Sequence, residues 1–190
     1  MKKNNLKKIK GYIEGYYGKL LSWNERELIL KELHKNSMNF YFYCPKEDIF
    51  HRKNWRKAYP KNWLQSFKNF CEKAKKLNIN IIVGISPGLD FDYNSYINAK
   101  KDEIKSLIKK LRLFYSNGAT FTAILFDDIE TKFKKDFQSQ NEGQTHAKIV
   151  NEIYSLFNGN IFAVPRIYSD ELVNDNPTYL NNFIKSLDKE

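Results

Sequence analysis

FTAILFDDIE, residues 121–130, is the stretch that decides the fold class of this 190-residue chain. Phe121 to Phe126 is a short apolar run with aromatic and β-branched members, the length of one buried strand. It stops abruptly at two adjacent carboxylates, Asp127 and Asp128. Two acids at the mouth of a buried strand repel each other and lose hydration, so such a pair favours one protonated and one charged member. That split suits a proton donor beside a permanent anion. The same pair also suits a loop start or helix cap, or a Mg²⁺ or Ca²⁺ site, and the rest of the chain must choose between them.

Outward from this stretch the pattern repeats. INIIVGIS (79–86) is an almost unbroken apolar strand stopped by Pro87-Gly88, and MNFYFYC (38–44) is another, stopped by Pro45. A first strand runs through Ile13 and breaks on Gly15 and Gly18; NIFAVP (160–165) makes the last. Helices are predicted between them. The first opens at Ser22 or Asn24 with Leu28, Ile29 and Leu33 on one face. A second covers 62–77 with a stripe of Leu64, Phe67, Phe70, Cys71 and Ala74. Others cover 101–116, ended by Asn117-Gly118, 144–157, ended by Asn158-Gly159, and 177–187. The polar segment 46–60 reads as a long loop, ordered by Phe50, Trp55 and Tyr59. Strands and helices thus alternate five times, and continuous apolar strands mean a parallel sheet. Gly15, Lys46, Asp90, Asp127, Asp128 and Tyr168 all lie just after strands, where sites form in (β/α) barrels and open α/β sheets.

An apolar content of 42% with 15% aromatics is enough for one globular domain over 1–190. The net charge of +10 is uneven: residues 1–80 carry 19 Lys/Arg against 7 Asp/Glu, and residues 81–190 carry 13 against 15. A basic half can bind a polyanion, but the lysines are scattered over predicted helices and no nucleic-acid motif accompanies them. They read as a solvated surface, with no nucleic-acid partner. Cys44 and Cys71 have no metal or framework spacing and read as reduced packing residues. The start, MKKNNLKKIKGYIEG, never reaches an apolar run long enough for a signal peptide or membrane span, so a cytoplasmic protein without membrane partners is expected. His146 reads as a packing or capping residue, and no spacing suggests a metal.

Taken together, GYIEGYYG, YCPKEDIFHRKNWRKAYP, ISPGLD, ILFDDI and PRIY resemble, in order, glycoside hydrolase family 84, the β-N-acetylglucosaminidases that include O-GlcNAcase. The resemblance runs from about Lys10 to Leu187. It implies a TIM (β/α) barrel and a retaining hydrolase acting on terminal β-linked N-acetylglucosamine of a glycan or glycoprotein. In that family the substrate's own acetamido oxygen is the nucleophile, an exception to the two-carboxylate scheme. By family match Asp127 orients the acetamido N–H and stabilises the oxazolinium-like intermediate. Asp128 protonates the leaving oxygen and later deprotonates water. Lys46 contacts sugar hydroxyls, Gly15 lines the pocket with its backbone, and Tyr168 aligns the acetamido group. His51, Arg52, Trp55 and Arg56 match the family loop and are expected to order it. Neither metal nor cofactor is implied. PRIY departs from the family's usual PTEY, so Arg166 and Ile167 alter the local geometry. The barrel is expected to be partial, about five βα units of the usual eight, and the chain ends before the family's Trp-Thr-Gly segment. Such a sheet leaves open edges at 9–14 and 160–164, implying self-association or pairing with the missing units. The alternative reading is a non-catalytic carbohydrate-binding relative or inactive fragment.

Overall fold

Successive residues of a strand face opposite sides of a sheet, and in this chain both sides are apolar. The computed structural model describes residues 8–130, 141–175 and 177–188. Its strands are β1 (Gly11–Glu14), β2 (Phe40–Tyr43), β3 (Asn80–Ile85), β4 (Phe121–Leu125) and β5 (Ile161–Val164). They form one sheet in the order β1-β2-β3-β4-β5, every pair parallel. Between and after them lie α1 (Trp23–Lys35), α2 (Lys61–Lys76), α3 (Tyr93–Ile97), α4 (Asp102–Ser116), α5 (Glu142–Phe157), α6 (Asp170–Asp175) and α7 (Pro177–Ser186). Five consecutive βα units in chain order are part of a (β/α) barrel.

The outer side of the sheet packs on the helices. Tyr41, Ile81, Val83, Ile85 and Ile124 join Leu30, Phe67, Phe70, Leu107 and Ile149 in the main core. α2 is the clearest case of cause and effect: Phe67, Phe70, Cys71 and Ala74 recur at helical spacing and are all buried. Each of its two phenylalanines contributes about 1.5–3 kcal/mol by that burial. The inner side holds a second cluster of Phe40, Ile82, Ala123 and Leu125, with Phe42, Phe121, Phe162 and Val164 packed at its margin. Rings bridge across it, Phe40 of β2 to Phe121 of β4 over β3, and Phe121 to Phe162 of β5, each at 5.4 Å between centroids.

Helix ends follow local chemistry. Ser22 caps α1 in a full capping box, its hydroxyl accepting from Glu25 N–H while the Glu25 carboxylate accepts from Ser22 N–H. Asn158 ends α5 in the left-handed conformation. Some expectations on α1 fail: Leu28 is 59% exposed, and Arg26, Leu30 and Leu33 are the buried positions. α3 and α6 are additional to the predicted helices. Cys44 and Cys71 are free and buried. Among the described residues no helix is long and apolar enough to cross a membrane.

Candidate active site

The carboxyl ends of β1, β2, β4 and β5 converge on one small group of side chains. β4 delivers Asp127 and Asp128, and the segment after β2 delivers Lys46, which is buried although charged. Lys46 Nζ donates to Asp127 Oδ2 at 2.6 Å and lies 2.9 Å from Asp128 Oδ2. The repulsion expected between adjacent carboxylates is thereby offset by an ammonium between them. Burial opposes the charge on Lys46, but the bonds to Asp127 and Asp128 outweigh it and hold its pKa above the ordinary lysine value. Among the described residues no group of three or more His, Cys, Asp or Glu side chains converges as a metal site.

The two acids differ in surroundings. Asp127 is nearly buried, with an 11% exposed side chain, and its Oδ1 has no hydrogen-bond partner. Asp128 is more open, with 35% of its side chain exposed. Asp128 also has φ of +56°, the left-handed region that Asp tolerates better than most residues. That turn brings both carboxylates to one lysine, where continued strand would send them apart.

Gly15 lies directly after β1, against the segment that carries Lys46. Cys44 N–H donates to the Glu14 carbonyl at 3.2 Å and Lys46 N–H to the Tyr16 carbonyl at 3.3 Å. A Cβ on Gly15 would stand 3.1 Å from Ile13 Cγ2 and 3.4 Å from Cys44 Sγ, so the close approach suits glycine. Tyr168, beyond β5, stands at the rim and is 57% exposed. Partial burial and the charges of Asp127 and Asp128 raise its pKa, which places it within their electrostatic reach without a hydrogen bond to them. The two altered residues of PRIY, Arg166 and Ile167, are taken up by other contacts. Arg166 forks onto Glu142 at 2.7 and 2.9 Å, its N–H donates to Tyr179 Oη, and Ile167 is buried. Asp90, also noted at a strand end, serves the loop instead, accepting from Trp55 Nε1 at 2.7 Å and Arg56 Nη1 at 2.6 Å.

The loop after Lys46 is built by Asp48, whose buried carboxylate accepts from the Tyr43 and Tyr59 hydroxyls and the Phe50 and His51 N–H groups. His51 is fully buried. Its Nδ1 is 2.8 Å from the Gly84 carbonyl, which can only accept, so Nδ1 carries the proton and Nε2 is a bare acceptor. Sequence reading missed two features here. Arg52 reaches out of its loop, its Nη2 donating to the Asp128 carbonyl at 2.6 Å. Glu14 at the end of β1 is buried and accepts from Arg26 at 2.7 and 2.9 Å and from Tyr41 Oη at 2.6 Å. A carboxylate closing GYIE was visible in the sequence; Arg52 was expected only to order its own loop, and nothing local pointed to its reach to Asp128.

Comparison with known proteins places these features in a family. A family model described as beta-N-acetylglucosaminidase matches residues 10–190. Protein O-GlcNAcase of Rattus norvegicus and that of Mus musculus are each 34% identical over 148 residues, 76% of this chain and 15% of theirs. A mutant O-GlcNAc hydrolase from Thermobaculum terrenum superposes with a TM-score of 0.85 at 30% identity, covering 96% of this chain and 39% of that one. The chain thus spans a minor part of the length of these relatives, consistent with five βα units of a larger barrel. With a model match that begins just before β1 and runs on past β5 and α7, the chain belongs to the beta-N-acetylglucosaminidase family.

Proposed function

We propose that this chain carries the catalytic carboxylates of a β-N-acetylglucosaminidase that removes terminal β-linked N-acetylglucosamine from glycoconjugates, with retention and by substrate-assisted chemistry. The observation that carries this reading is the division of labour at β4. Asp127 uses Oδ2 on Lys46 and keeps a buried Oδ1 without a partner, an acceptor suited to an acetamido N–H. A fixed carboxylate there steadies the amide as its oxygen attacks the anomeric carbon, and stabilises the positive charge that develops on the oxazolinium. Asp128, open to the mouth of the site, gives its proton to the leaving oxygen and takes one back from the attacking water. Lys46 holds sugar hydroxyls, the backbone at Gly15 lines the sugar pocket, and Tyr168 at the rim aligns the acetamido group. Residues 1–190 form an incomplete (β/α) barrel domain of this type, and the remaining wall of the pocket is expected from the rest of the barrel.

Chromogenic and unactivated β-N-acetylglucosaminides test the roles. Asp128→Asn is expected to lower kcat/KM on poor leaving groups by about 10²-fold or more while sparing good ones, because only poor ones need the acid. Equal losses on both would remove Asp128 from that role. N-trifluoroacetyl substrates should react far more slowly; an unchanged rate would point to an enzyme nucleophile. The open sheet, paired among the described residues on only one side of β1 and of β5, favours a second reading for the 190-residue polypeptide alone, sugar binding without turnover. Calorimetry with N-acetylglucosamine and a turnover assay on one sample separate the two.

A further inference from the structure

Arg52 is placed unlike the other shielded arginines of this chain. Arg26 and Arg166 each fork onto a carboxylate, Glu14 and Glu142. Arg52 is only 9% exposed, its Nε has no hydrogen-bond partner, and its neighbours are a backbone carbonyl and the Tyr17 ring, 5.6 Å from the guanidinium carbon. A cation drawn out of water without a carboxylate is costly to keep. Its delivery is nevertheless firmly built. Ser86 N–H donates to the His51 carbonyl at 3.0 Å and His51 Nδ1 donates to the Gly84 carbonyl at 2.8 Å. These two bonds carry the loop across the end of β3 and set Arg52 over the end of β4. There its Nη2 bonds the carbonyl of Asp128, the one residue of the site with left-handed backbone.

We propose that Arg52 is a positioning residue for the candidate acid: by clamping the Asp128 carbonyl it holds the left-handed turn that keeps the Asp128 carboxylate beside Asp127 and Lys46. An extended Asp128 would turn its side chain to the opposite face from Asp127, and Lys46 could not meet both at 2.6 and 2.9 Å. Through Tyr17 the same guanidinium also ties the turn to the loop that begins at Gly15. The kinetic consequence rests on the proposed function; the conformational one does not.

The test compares crystal structures and leaving-group dependence of the unmodified protein, R52M and R52K. In R52M the Asp128 φ is expected to become negative and its carboxylate to leave hydrogen-bond reach of Lys46, while Lys46–Asp127 persists. R52K, which keeps a charged donor, is expected to retain the turn. R52M should lose about tenfold or more on poor leaving groups with little change on good ones, and should add nothing to Asp128→Asn. A merely structural Arg52 would instead lower both substrates alike. If R52M does not fold, R52Q takes its place in both measurements. An R52M or R52Q structure that keeps Asp128 left-handed and bonded to Lys46 overturns the clamp, and so does an equal loss on both substrates. If the unmodified 190-residue protein turns over neither substrate, that outcome favours the binding-only reading and not a failure of Arg52, and the structures alone decide the clamp.

Discussion

A histidine shut away from water stays in a fold by giving up its charge. His51 and His146 both do so. Burial, partly countered by the bond to the Gly84 carbonyl, brings His51 down from 6.5 to about 4. Burial and then the Arg166 charge bring His146 from 6.5 to about 3. His146 lies between the Tyr93 and Tyr179 hydroxyls, each at 2.8 Å, and stacks on Phe126 at 4.0 Å, so it is a packing residue directly behind the candidate acids. Both folded values are depressed, so the unfolded chain binds more protons below 6.5. Their contribution is complete above that pH and is lost as pH falls through the folded values. The expected loss is about 1–1.5 kcal/mol per pH unit per histidine within the window. Urea unfolding between pH 7.5 and 5 measures it. His51→Asn, which can still bond the Gly84 carbonyl, is expected to remove about half of the slope; an undiminished slope would show that His51 is not its source.

Among the helices, α7 is held by a close backbone approach to α5. A Cβ on Gly143, in the first turn of α5, would stand 2.1 Å from the Tyr179 carbonyl and 3.0 Å from the Phe183 nitrogen. α7 uses that contact to bury Tyr179 and Phe183, and Tyr179 in turn accepts from Arg166 N–H two residues before Tyr168. α7 therefore buttresses the exit of β5 at the rim of the site. In an exposed helix Gly→Ala stabilises by roughly 0.5–1 kcal/mol. Gly143→Ala is expected to do the opposite, destabilising by about 1–3 kcal/mol or more through forced separation of the helices. Thermal unfolding reads the sign, and amide exchange reads early loss of protection in α7. A variant as stable as the parent, with α7 equally protected, would show that the helices can part without cost.

At the scale of the whole molecule, the sheet ends on two edges, β1 and β5. Among the described residues β1 bonds only to β2 and β5 only to β4. Beside each edge runs an apolar groove, one lined by Tyr12, Leu28, Ile29 and Met38, the other by Val150, Tyr154, Ile161 and Phe183. Ile13 is 62% exposed, and Phe42, Phe121, Phe162 and Val164 at the margin of the inner face are only partly buried. Unpaired edges beside apolar surface invite association. The 190-residue polypeptide expressed alone is therefore expected to self-associate at micromolar concentration, or to bind a polypeptide supplying the remaining βα units. Analytical ultracentrifugation decides it, and a monomer with a sharp, cooperative melt would defeat this expectation.

Sequence alone determined the parallel α/β class, the five strands and the five long helices, because hydrophobic periodicity is a local signal repeated over many residues. It also singled out Asp127 and Asp128, since two carboxylates closing an apolar strand are conspicuous without a fold. The short α3 and α6, of 5 and 6 residues, escaped because one turn and a half shows no period. Leu28 misled for a related reason: helical spacing defines a stripe, but its centre on α1 is set by the Glu14–Arg26 pair and by Leu30 packing on the sheet. Only the tertiary structure decided that Lys46 stands between two acids 81 and 82 positions away, and that Arg52 grips the backbone of Asp128. Those meetings depend on strand order, register and a left-handed turn, which bring distant parts of the chain to one end of the sheet and leave no periodic trace along it.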